Sequence, residues 1–506
     1  MNRPQANRAI RAVCIGFLCL ASPAWMHAQT QPGAGRVCPD PGFNPQPWLD
    51  DFEQLIVEMS AHYADLEYAV EARHMDLPRL RAETETKLKA SCEEGEAKQA
   101  LQSFVKSFGD GHLDIEWPNP PAKVRGAAAE TQSPCRSLSY ETPTLNPGID
   151  FSQLPQFTSV GGDRTDWFPS GILTVNANQK LGVIRIPVFG ERWFPDACEQ
   201  AFRDLHLTDA RCDQGCNNKL QHATGNLLTA ILMKRTAELQ SAGASAIVVD
   251  ITRNDGGSDW VDPVVRSFSP IPLRESPWGF IKHEHWTKEL EQRLSQVESD
   301  LKSGKEPKQT LEEAAARLQS AVALSEEKCD RSSVWTSGKL TCSLVVSGVL
   351  YSSGVLPYAA PGSFAALQSR GVLFRPFDYA YTESSARPPL YVVVDSHTWS
   401  SAEYFAFLLQ DNGAATILGE VTGGAGCGFT NGGIPTVLKN SRAQVKMPDC
   451  VHFRRDGSNA NAGVTPGVLV PWSVHDSPYL RAQKLYRALV TAVTAEPKEA
   501  GCKAHE

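Results

Sequence analysis

The sequence predicts an α/β protein in which a mainly parallel β-sheet is covered by helices. Four short apolar runs rich in branched side chains occur along the chain, at residues 181–189, 246–250, 391–395 and 415–420. Continuous apolar runs without alternation are typical of strands that are buried on both faces. Helical segments precede or follow these runs, as at residues 223–241 and 401–410. This alternation of strand and helix favours parallel strand pairing.

The chain of 506 residues is 42% apolar and 21% charged, which is enough for two to three domains with a substantial core. Its composition and periodicity suggest six segments. They are a signal peptide (1–28), a linker (29–47), a helical region that ends in a turn with the sequence Asp-Gly-His, here called the DGH turn (48–117), a loop-rich connection (118–178), an α/β domain (179–490) and a tail (491–506).

Two helical patterns stand out within these segments. Phe52, Ile56, Met59 and Tyr63 recur every three or four residues, which predicts an amphipathic helix in the helical region. Residues 284–326 carry two further apolar stripes separated by GKEP, which predicts an antiparallel helical pair inserted into the α/β domain. The charged residues of this insertion are expected to form a solvated face, with a cap or a partner surface as the alternative.

The first 28 residues have the pattern of a secretory signal peptide. Arg3, Arg8 and Arg11 precede a short apolar stretch, and Ala28 supplies the small residue before a cleavage position. The apolar stretch is too short to cross a bilayer, and no later run reaches about 18 apolar residues. We therefore expect a periplasmic or secreted protein, cleaved near Ala28 and without a stable membrane anchor.

The cysteines also favour an oxidising compartment. The sequence contains 13 cysteines, two of which lie in the predicted signal peptide. The remaining 11 would mostly form disulfides, and their odd number leaves one unpaired. Cys329 with Cys342 and Cys427 with Cys450 are the local pairs that we expect, whereas the sequence does not determine the rest.

Neither a metal ion nor a nucleic acid is an expected ligand. A metal site at Cys198, Cys212 and Cys216 is the alternative to disulfides, but their spacing matches no standard zinc pattern and the sequence has no HExxH motif. The formal charge is −8, with 49 basic and 57 acidic residues and no long basic run, which argues against nucleic acid. No organic cofactor is implied either.

Ser400 is the first residue that could carry chemistry. It lies in the segment TWSSAEYF, between a predicted strand that ends at Asp395 and a predicted helix. Free backbone N–H groups and the helix dipole at such a junction favour developing negative charge. The alternative is an ordinary helix cap, because Glu403 three residues later would complete a capping box.

Two further motifs could complete a catalytic site. Asn254-Asp255-Gly256-Gly257 follows a predicted strand, and its backbone amides could hold an oxyanion, although a plain glycine turn is the commoner interpretation. Asp110-Gly111-His112 places in a turn a histidine, the side chain best suited to act as a general base near neutral pH. A single histidine is more often an ordinary structural residue.

Together and in this order, the motifs resemble those of the tail-specific and tricorn-like serine peptidases. The shared order is DGH, NxGG, S-x-x-E and GE-x-T-x-G, over roughly residues 50–117 and 180–490. The resemblance implies a crotonase-like (ClpP/crotonase) core of stacked strand–helix units with a helical N-terminal region. It also implies that Ser400 is the nucleophile and that the amides of Ser401 and Gly257 form the oxyanion hole.

The resemblance favours a histidine as the catalytic base. The tail-specific branch uses a lysine just after the GE-x-T-x-G turn, and Ala425 stands at that place here. The tricorn-like branch uses the histidine of the early motif, which corresponds to His112. A Ser400–His112 pair therefore agrees with both the resemblance and the chemistry of the side chains.

Two features depart from the family pattern. The tricorn-like branch orients its histidine through a glutamate shortly before a G-V-x-P-D turn, whereas this chain has Ala460 at about that place and Gly467 in place of the aspartate. Asp456 or Asn459 could substitute as the orienting residue. Residues 118–178 also contain too little regular sequence for a peptide-binding PDZ domain, which argues against processive trimming of protein C-termini.

The leading hypothesis is an exported serine peptidase that hydrolyses peptide bonds of peptides or proteins through a Ser–His mechanism. A catalytically weakened binding protein on the same fold is the second hypothesis, because the orienting glutamate is missing. An esterase or amidase with the same machinery is the third. The expected partner is a peptide or protein substrate, and the sequence leaves the oligomeric state and the substrate preference open.

Overall fold

The structure is a computed structural model that describes residues 38, 40, 42–118, 134–142, 146–161, 167–207, 212–383, 387–429 and 434–494. The predicted signal peptide, most of the linker and residues 495–506 lie outside these residues. The described helices are α1 (Gln46–His62), α2 (Leu66–Glu71), α3 (Leu77–Lys89), α4 (Glu94–Lys106), α5 (Pro134–Ser137), α6 (Pro195–Asp204), α7 (Gln214–Ser241), α8 (Val261–Phe268), α9 (Glu284–Lys302), α10 (Lys308–Ser325), α11 (Val334–Ser337), α12 (Arg370–Leu373), α13 (Ser401–Asp411) and α14 (Pro478–Thr494).

The described strands belong to three sheets. They are β1 (Asp114–Glu116), β2 (Phe157–Ser159), β3 (Ser170–Asn176), β4 (Gln179–Arg185), β5 (Ala246–Asp250), β6 (Pro277–Ile281), β7 (Val345–Tyr351), β8 (Leu390–Val394), β9 (Thr416–Gly419), β10 (Thr436–Val437), β11 (Gln444–Lys446), β12 (Cys450–His452) and β13 (Val468–Leu469). The protein is thus a mixed α/β structure, in agreement with the predicted class.

The largest sheet has seven strands in the order β13-β9-β8-β5-β4-β3-β2. The five strands from β13 to β4 run parallel, whereas β3 and β2 are antiparallel additions at one edge. The four apolar runs of the sequence correspond to β4, β5, β8 and β9, whose central residues are buried.

Strand β3 is longer than the sequence analysis suggested for the loop-rich segment 118–178. It spans seven residues and forms a hairpin with β4, in which Ile172 pairs with Gly182 and Leu173 with Leu181. Its sequence SGILTVN has only a short apolar centre, so the local pattern is weak. Strand β4, which has the same length and a fully buried centre, provides the partner that stabilises it.

Helices α1 to α4 pack around an apolar core at the N-terminal end of the described chain. Phe52, Leu55 and Met59 of α1 are fully buried, because their spacing places them on one helical face. They share this core with Val445 of β11, whose three-stranded sheet β1-β11-β10 connects the helices to the C-terminal half. Helix α1 begins at Gln46, two residues before the predicted start, since Pro47 is well suited to the first helical turn.

Helices α9 and α10 lie within the predicted helical insertion. Their apolar faces share a core with the antiparallel sheet β12-β6-β7, through residues such as Leu290, Val297 and Leu318. Five disulfides connect described cysteines, namely Cys38–Cys92, Cys135–Cys198, Cys212–Cys216, Cys329–Cys342 and Cys427–Cys450. The two predicted local pairs are therefore confirmed. None of the helices in the described ranges combines the length and apolarity needed to cross a membrane.

Candidate active site

The candidate site lies where the neighbouring parallel strands β5 and β8 end. Because both strands run in the same direction, the loops that follow them meet at one edge of the sheet. The amide of Trp399 donates to the carbonyl of Asn254 at 3.0 Å, and the amide of Arg253 donates to Oδ1 of Asp395 at 2.9 Å. The NDGG turn and the serine motif, separated by more than 140 residues in sequence, are thus joined directly.

Ser400 has a backbone conformation that is uncommon for a residue other than glycine. Its φ is 54° and its ψ is −124°, directly before the first residue of α13. Gly256 lies against it so closely that a Cβ at Gly256 would be 2.7 Å from the Cβ of Ser400 and 2.8 Å from the amide nitrogen of Ser401. Gly256 also has a φ of 92°, so this position needs glycine for both space and conformation.

The amides of Ser401 and Gly257 are available at this junction. Ser401 is the first residue of α13, so its N–H has no acceptor within the helix. Gly257 lies opposite Phe189 in an isolated parallel β-bridge. The hydrogen bonds of this bridge are made by the carbonyl of Gly256 and the amide of Ser258, and not by the amide of Gly257. Among the described residues, neither the amide of Ser401 nor that of Gly257 donates a hydrogen bond.

The turn that carries His112 packs against the same junction. A Cβ at Gly111 would lie 2.9 Å from the Cβ of Ala425 and 3.2 Å from the ring of Trp399, the residue that precedes Ser400. The amide of His112 donates to Oδ1 of Asp110 at 2.9 Å, which defines the turn. The structure therefore brings the DGH motif, the NDGG turn and the serine motif together.

The imidazole of His112 lies beside Gly428. Its Nε2 faces residue 428, where a Cβ on Gly428 would lie 3.6 Å away, and its Nδ1 is buried without a hydrogen-bond partner. Within the described part of the chain no hydrogen bond joins His112 to Ser400. The ring therefore belongs to the same site as the serine, but the two side chains do not form the hydrogen bond of a catalytic Ser–His pair.

The environment of His112 keeps its imidazole neutral. Burial lowers its pKa below the ordinary value, because the protein interior disfavours the charged form. The nearby Asp110 and a hydrogen bond with the backbone of Cys427 act in the opposite direction but do not outweigh burial. A neutral imidazole near pH 7 is the form that accepts a proton.

Glu403 connects the start of α13 to the loop that follows β9. Its buried carboxylate accepts from the amides of Ser400 at 3.2 Å, Gly424 at 2.8 Å and Ala425 at 2.7 Å, and from the hydroxyl of Thr422. Burial raises the pKa of Glu403, and these hydrogen bonds oppose the rise. The predicted capping partner of Ser400 thus also determines where Ala425 lies.

Asn461 is a site residue that the sequence analysis missed. Its Nδ2 donates to Oδ2 of Asp110 at 3.3 Å, and its Oδ1 accepts from the amide of Gly426 at 2.8 Å. Tyr63 also donates to Oδ2 of Asp110, at 3.0 Å. The one signal in the sequence is that Asn461 directly follows Ala460, the place where the family pattern has its glutamate.

The two residues considered as substitutes for that glutamate do not reach His112. Asp456 is exposed, and its Oδ1 accepts from the amide and hydroxyl of Ser458 at 2.9 and 2.6 Å, which forms a local turn. Asn459 donates instead to Oδ1 of Asp65, at 2.6 Å. Across the described ranges, no group of three or more histidine, cysteine, aspartate or glutamate side chains is arranged to hold a metal ion.

Comparisons with known proteins show a likeness in sequence and in fold. Residues 281–470, which include Ser400 and Ser401, match the model of peptidase family S41. Mature CPAF complexed with lactacystin has a TM-score of 0.54 at 15% identity, over 89% of this chain and 98% of that chain. Mature CPAF alone gives 0.52 at 14% identity, over 89% and 97%. A peptidase structure from Parabacteroides merdae gives 0.45 at 11% identity, over 90% and 99%. No curated protein matches the chain.

At these identities the likeness to CPAF establishes the fold alone. The family match establishes the class of the protein, which is a hydrolase of the serine peptidase type. Residues 281–470 are similar to the S41 peptidases, and the motif order of the sequence is similar to that of the tail-specific and tricorn-like enzymes.

Proposed function

We propose that the protein is an exported peptidase that cleaves peptide bonds of peptides or proteins through Ser400 and His112, on a crotonase-like core. The packing of Gly256 against Ser400 and Ser401 carries this proposal. The positive φ of Ser400, the closeness of Gly256 to the amide of Ser401 and the position of Gly257 next to Gly256 support the proposed nucleophile and oxyanion hole. Ser400 and Glu403 also form a capping box, but a helix cap alone does not need the close approach of Gly256.

Each residue has a defined role in the proposed reaction. Ser400 Oγ attacks the substrate carbonyl carbon, and its proton passes to the neutral imidazole of His112. The amides of Ser401 and Gly257 stabilise the tetrahedral oxyanion, and the loss of one such donor typically lowers kcat about 100- to 1,000-fold. His112 then donates the proton to the leaving amine, and water repeats the sequence on the acyl-enzyme.

The proposed reaction requires one adjustment of His112. Among the described residues His112 makes no hydrogen bond to Ser400, so the imidazole must come within hydrogen-bond distance of the serine hydroxyl when a substrate is bound. Catalytic hydrogen bonds are often long or unmade without a ligand and tighten in the complex. Orientation would then come from the Asp110 turn and its anchor Asn461, and not from a carboxylate bonded to Nδ1.

A specific observation favours a binding role as the second candidate function. The Nδ1 of His112 has no partner, whereas serine peptidases usually hold this atom with an acid that fixes the tautomer. Loss of such an acid can cost about 10⁴-fold in kcat. A protein with this site could therefore retain peptides in the cleft and cleave them slowly, and an esterase or amidase with the same residues would differ only in its leaving group.

An oxidising compartment fits the proposal. Five disulfides join cysteines across the described residues, which is typical of exported proteins. The signal-peptide pattern of residues 1–28 suggests the same route. We further propose that residues 48–117 and 179–490 form the helical and catalytic units that contribute His112 and Ser400, respectively.

An activity-based probe tests the nucleophile. A fluorophosphonate should label the purified mature protein at Ser400, and labelling should be lost in Ser400→Ala and strongly reduced in His112→Ala. Ser396→Ala and His397→Gln are matched controls, because both residues are exposed on the same loop, and both variants should label normally. Equal labelling of Ser400→Ala and the wild type would exclude Ser400 as the nucleophile.

A digest separates the candidate activities. A peptide library should yield products whose formation depends on Ser400, whereas an esterase would hydrolyse ester substrates and leave the peptides intact. A well-folded wild type that is neither labelled nor active but binds peptides would establish the binding role. Thermal unfolding of each variant should accompany the assays, so that a loss of fold is not mistaken for a loss of chemistry.

A further inference from the structure

Glu191 has a buried carboxyl group close to the NDGG turn, and the proposed reaction gives it no role. Strand β4 ends at Arg185, and the chain continues to Glu191, which begins a short 3₁₀ helix. The residue is only 1% exposed. Burial of a carboxyl group costs free energy unless its oxygens find hydrogen-bond partners. Its partners therefore indicate what this group does.

Both carboxyl oxygens of Glu191 have partners. The hydroxyl of Tyr379 donates to Oε1 at 2.5 Å, and the hydroxyl of Ser258 donates to Oε2. Nε2 of Gln221, in α7, lies 3.5 Å from the same Oε2. Burial raises the pKa of Glu191, and the hydrogen bonds from Ser258 and Tyr379 oppose the rise. The carboxyl group thus connects α7 and the segment around Tyr379 to residue 258.

Ser258 directly follows Gly257, the proposed oxyanion donor. The amide of Ser258 donates to the carbonyl of Phe189 at 2.8 Å, and its hydroxyl oxygen lies 3.1 Å from the same carbonyl oxygen. A Cβ at Gly257 would lie 2.3 Å from the carbonyl carbon of Phe189 and 2.6 Å from the amide nitrogen of Gly190. Residues 189–191 therefore lie directly against Gly257 and are joined to Ser258 through both backbone and side chain.

The NDGG turn needs such support because of its two glycines. Gly256 has a φ of 92° and Gly257 a φ of 150°, and glycine restricts the backbone less than any other residue. Gly257 is exposed, whereas Gly256 is buried against Ser400. An oxyanion donor has to lie about 2.7–3.1 Å from the developing charge. Ser400 holds the turn on one side of Gly257, and the contact between Ser258 and Glu191 holds it on the other.

Helix α7 supports both partners of this contact. The amide of Trp260 donates to Oγ of Ser258 at 3.2 Å, and its Nε1 donates to Oγ1 of Thr229, in α7, at 2.9 Å. A Cβ at Gly225 would lie 2.7 Å from the ring of Tyr379 and 2.9 Å from the ring of Trp260. Both rings thus pack directly on the helix, one beside Glu191 and the other beside Ser258.

We propose that Glu191 is a positioning residue of the oxyanion hole, whose carboxyl group holds Ser258 and thereby fixes the direction of the Gly257 amide. This inference rests on the proposed function, in which Gly257 stabilises the oxyanion. Glu191 acts through Ser258 and has no contact with the reacting atoms. Either form of the carboxyl group can make the contact, because an ionised carboxylate accepts from the hydroxyl and a protonated one donates to it.

The kinetics of fluorophosphonate labelling on the full mature chain test this role. In Glu191→Ala and in Ser258→Ala the maximal labelling rate should fall at least about tenfold, because the oxyanion donor is misplaced. The probe concentration that gives half the maximal rate should change less than about threefold, since the ground state does not use this donor. The double variant should be no slower than the slower single variant, because both changes break one contact. Glu191→Gln should recover most of the rate, since its amide can accept from Tyr379 and donate to Ser258.

Asp300→Ala is the matched control. Asp300 is also a buried carboxylate, and it accepts from the hydroxyl and the amide of Ser369 at 2.8 and 2.9 Å, at the end of α9. This variant should lose stability but reach the wild-type maximal labelling rate. A wild-type maximal rate in Ser258→Ala would overturn the proposal, even if Glu191→Ala failed to fold. A change confined to the half-maximal probe concentration would also overturn it, because Glu191 would then act on binding.

Hydrogen exchange tests the same contact without any need for activity. In peptides that cover residues 254–260, the protected amides should exchange at least about tenfold faster in Glu191→Ala than in the wild type, as followed by mass spectrometry. Glu191→Gln and Asp300→Ala should exchange like the wild type. Unchanged protection in Glu191→Ala would overturn the positioning role. A wild type that does not react with the probe would contradict the proposed function, whereas the same difference in exchange would still show that Glu191 holds Gly257 in place.

Discussion

The side-chain amide of Asn461 donates to Oδ2 of Asp110 at 3.3 Å, and the carbonyl oxygen of the same amide accepts from Gly426 at 2.8 Å. One neutral side chain thus joins the turn that carries His112 to the loop that Glu403 holds beside Ser400. A carboxylate at position 461 could accept from Gly426 but could not donate to Asp110. The amide therefore suits a site in which the acid lies in the DGH turn.

This relationship predicts the effects of two substitutions at position 461. Asn461→Ala should cost about 1–3 kcal/mol of stability, because it leaves buried partners unpaired, and should lower kcat/KM about tenfold or more. At pH values above the pKa of the introduced carboxyl, Asn461→Asp should lose more stability and more kcat/KM than Asn461→Ala, since two buried carboxylates would repel. Thermal unfolding and kcat/KM between pH 4 and 8 measure both effects. The same changes at the exposed Asn178 should be nearly silent, and an Asn461→Asp variant as active as the wild type would contradict the arrangement.

Gly256 gives a second prediction, which concerns the oxyanion hole. Gly256→Ala would place a methyl group 2.7 Å from the Cβ of Ser400, so the NDGG turn must move away from the serine. We expect kcat/KM to fall at least about 100-fold, as for the loss of one oxyanion donor. Gly457→Ala is the matched control, because Gly457 has a similar φ of 85° but no atom within 4 Å of its added methyl.

The comparison of these two variants separates strain from chemistry. Both should lose about 1–2 kcal/mol of stability from the positive φ alone. Only Gly256→Ala should also lose reactivity with a fluorophosphonate probe. Equal activity in the two variants would show that the contact between Gly256 and Ser400 has no catalytic importance.

The elements that the sequence predicted well are those with strong local patterns. Strands β5 and β8 are continuous apolar runs, so their burial and their parallel neighbours could be inferred before the structure was known. Ser400 and Gly256 could be located because each follows such a strand directly. Their contact, however, depends on strand order in the sheet, which local sequence does not encode.

Residues whose importance comes from distant partners could not be predicted. Asn461 is an ordinary asparagine until the fold places it against Asp110 and Gly426, which precede it in the sequence by 351 and 35 residues. Asp456 looked suitable because it is an acid in the right region, but the bend at residues 454–458 turns it to solvent. The local sequence pattern of β3 predicted the strand only weakly for the same reason, since β4 supplies the contacts that stabilise it.

The pKa of His112 predicts the acid limb of the activity profile. Because the base must be neutral and burial lowers its pKa, kcat/KM should fall only as the pH drops through a value below the ordinary one of about 6.5. Asp110→Asn removes a carboxylate that raises this pKa, so it should move the limb to still lower pH. His397→Gln should leave the limb in place, and a limb above about 6.5 in the wild type would exclude a buried His112 as the base.

The Cys427–Cys450 disulfide gives the last prediction, which concerns how the loop beside His112 is held. The backbone of Cys427 is hydrogen-bonded to His112, and the disulfide ties this loop to β12 across 23 residues of sequence. The double variant Cys427→Ser/Cys450→Ser should lose about 3 kcal/mol of stability, and kcat/KM should fall even at temperatures where the variant stays folded.

The disulfide Cys212–Cys216 is the natural comparison, because it closes a segment of only four residues at the start of α7. Its removal by Cys212→Ser/Cys216→Ser should cost less stability, since short loops lose little entropy on closure, and should leave kcat/KM unchanged. Thermal unfolding and kinetics measured under identical conditions would compare the two. If both double variants kept full kcat/KM while folded, the loop at Cys427 would not position His112, and the orientation of the imidazole would have to come from Asp110 and Asn461 alone.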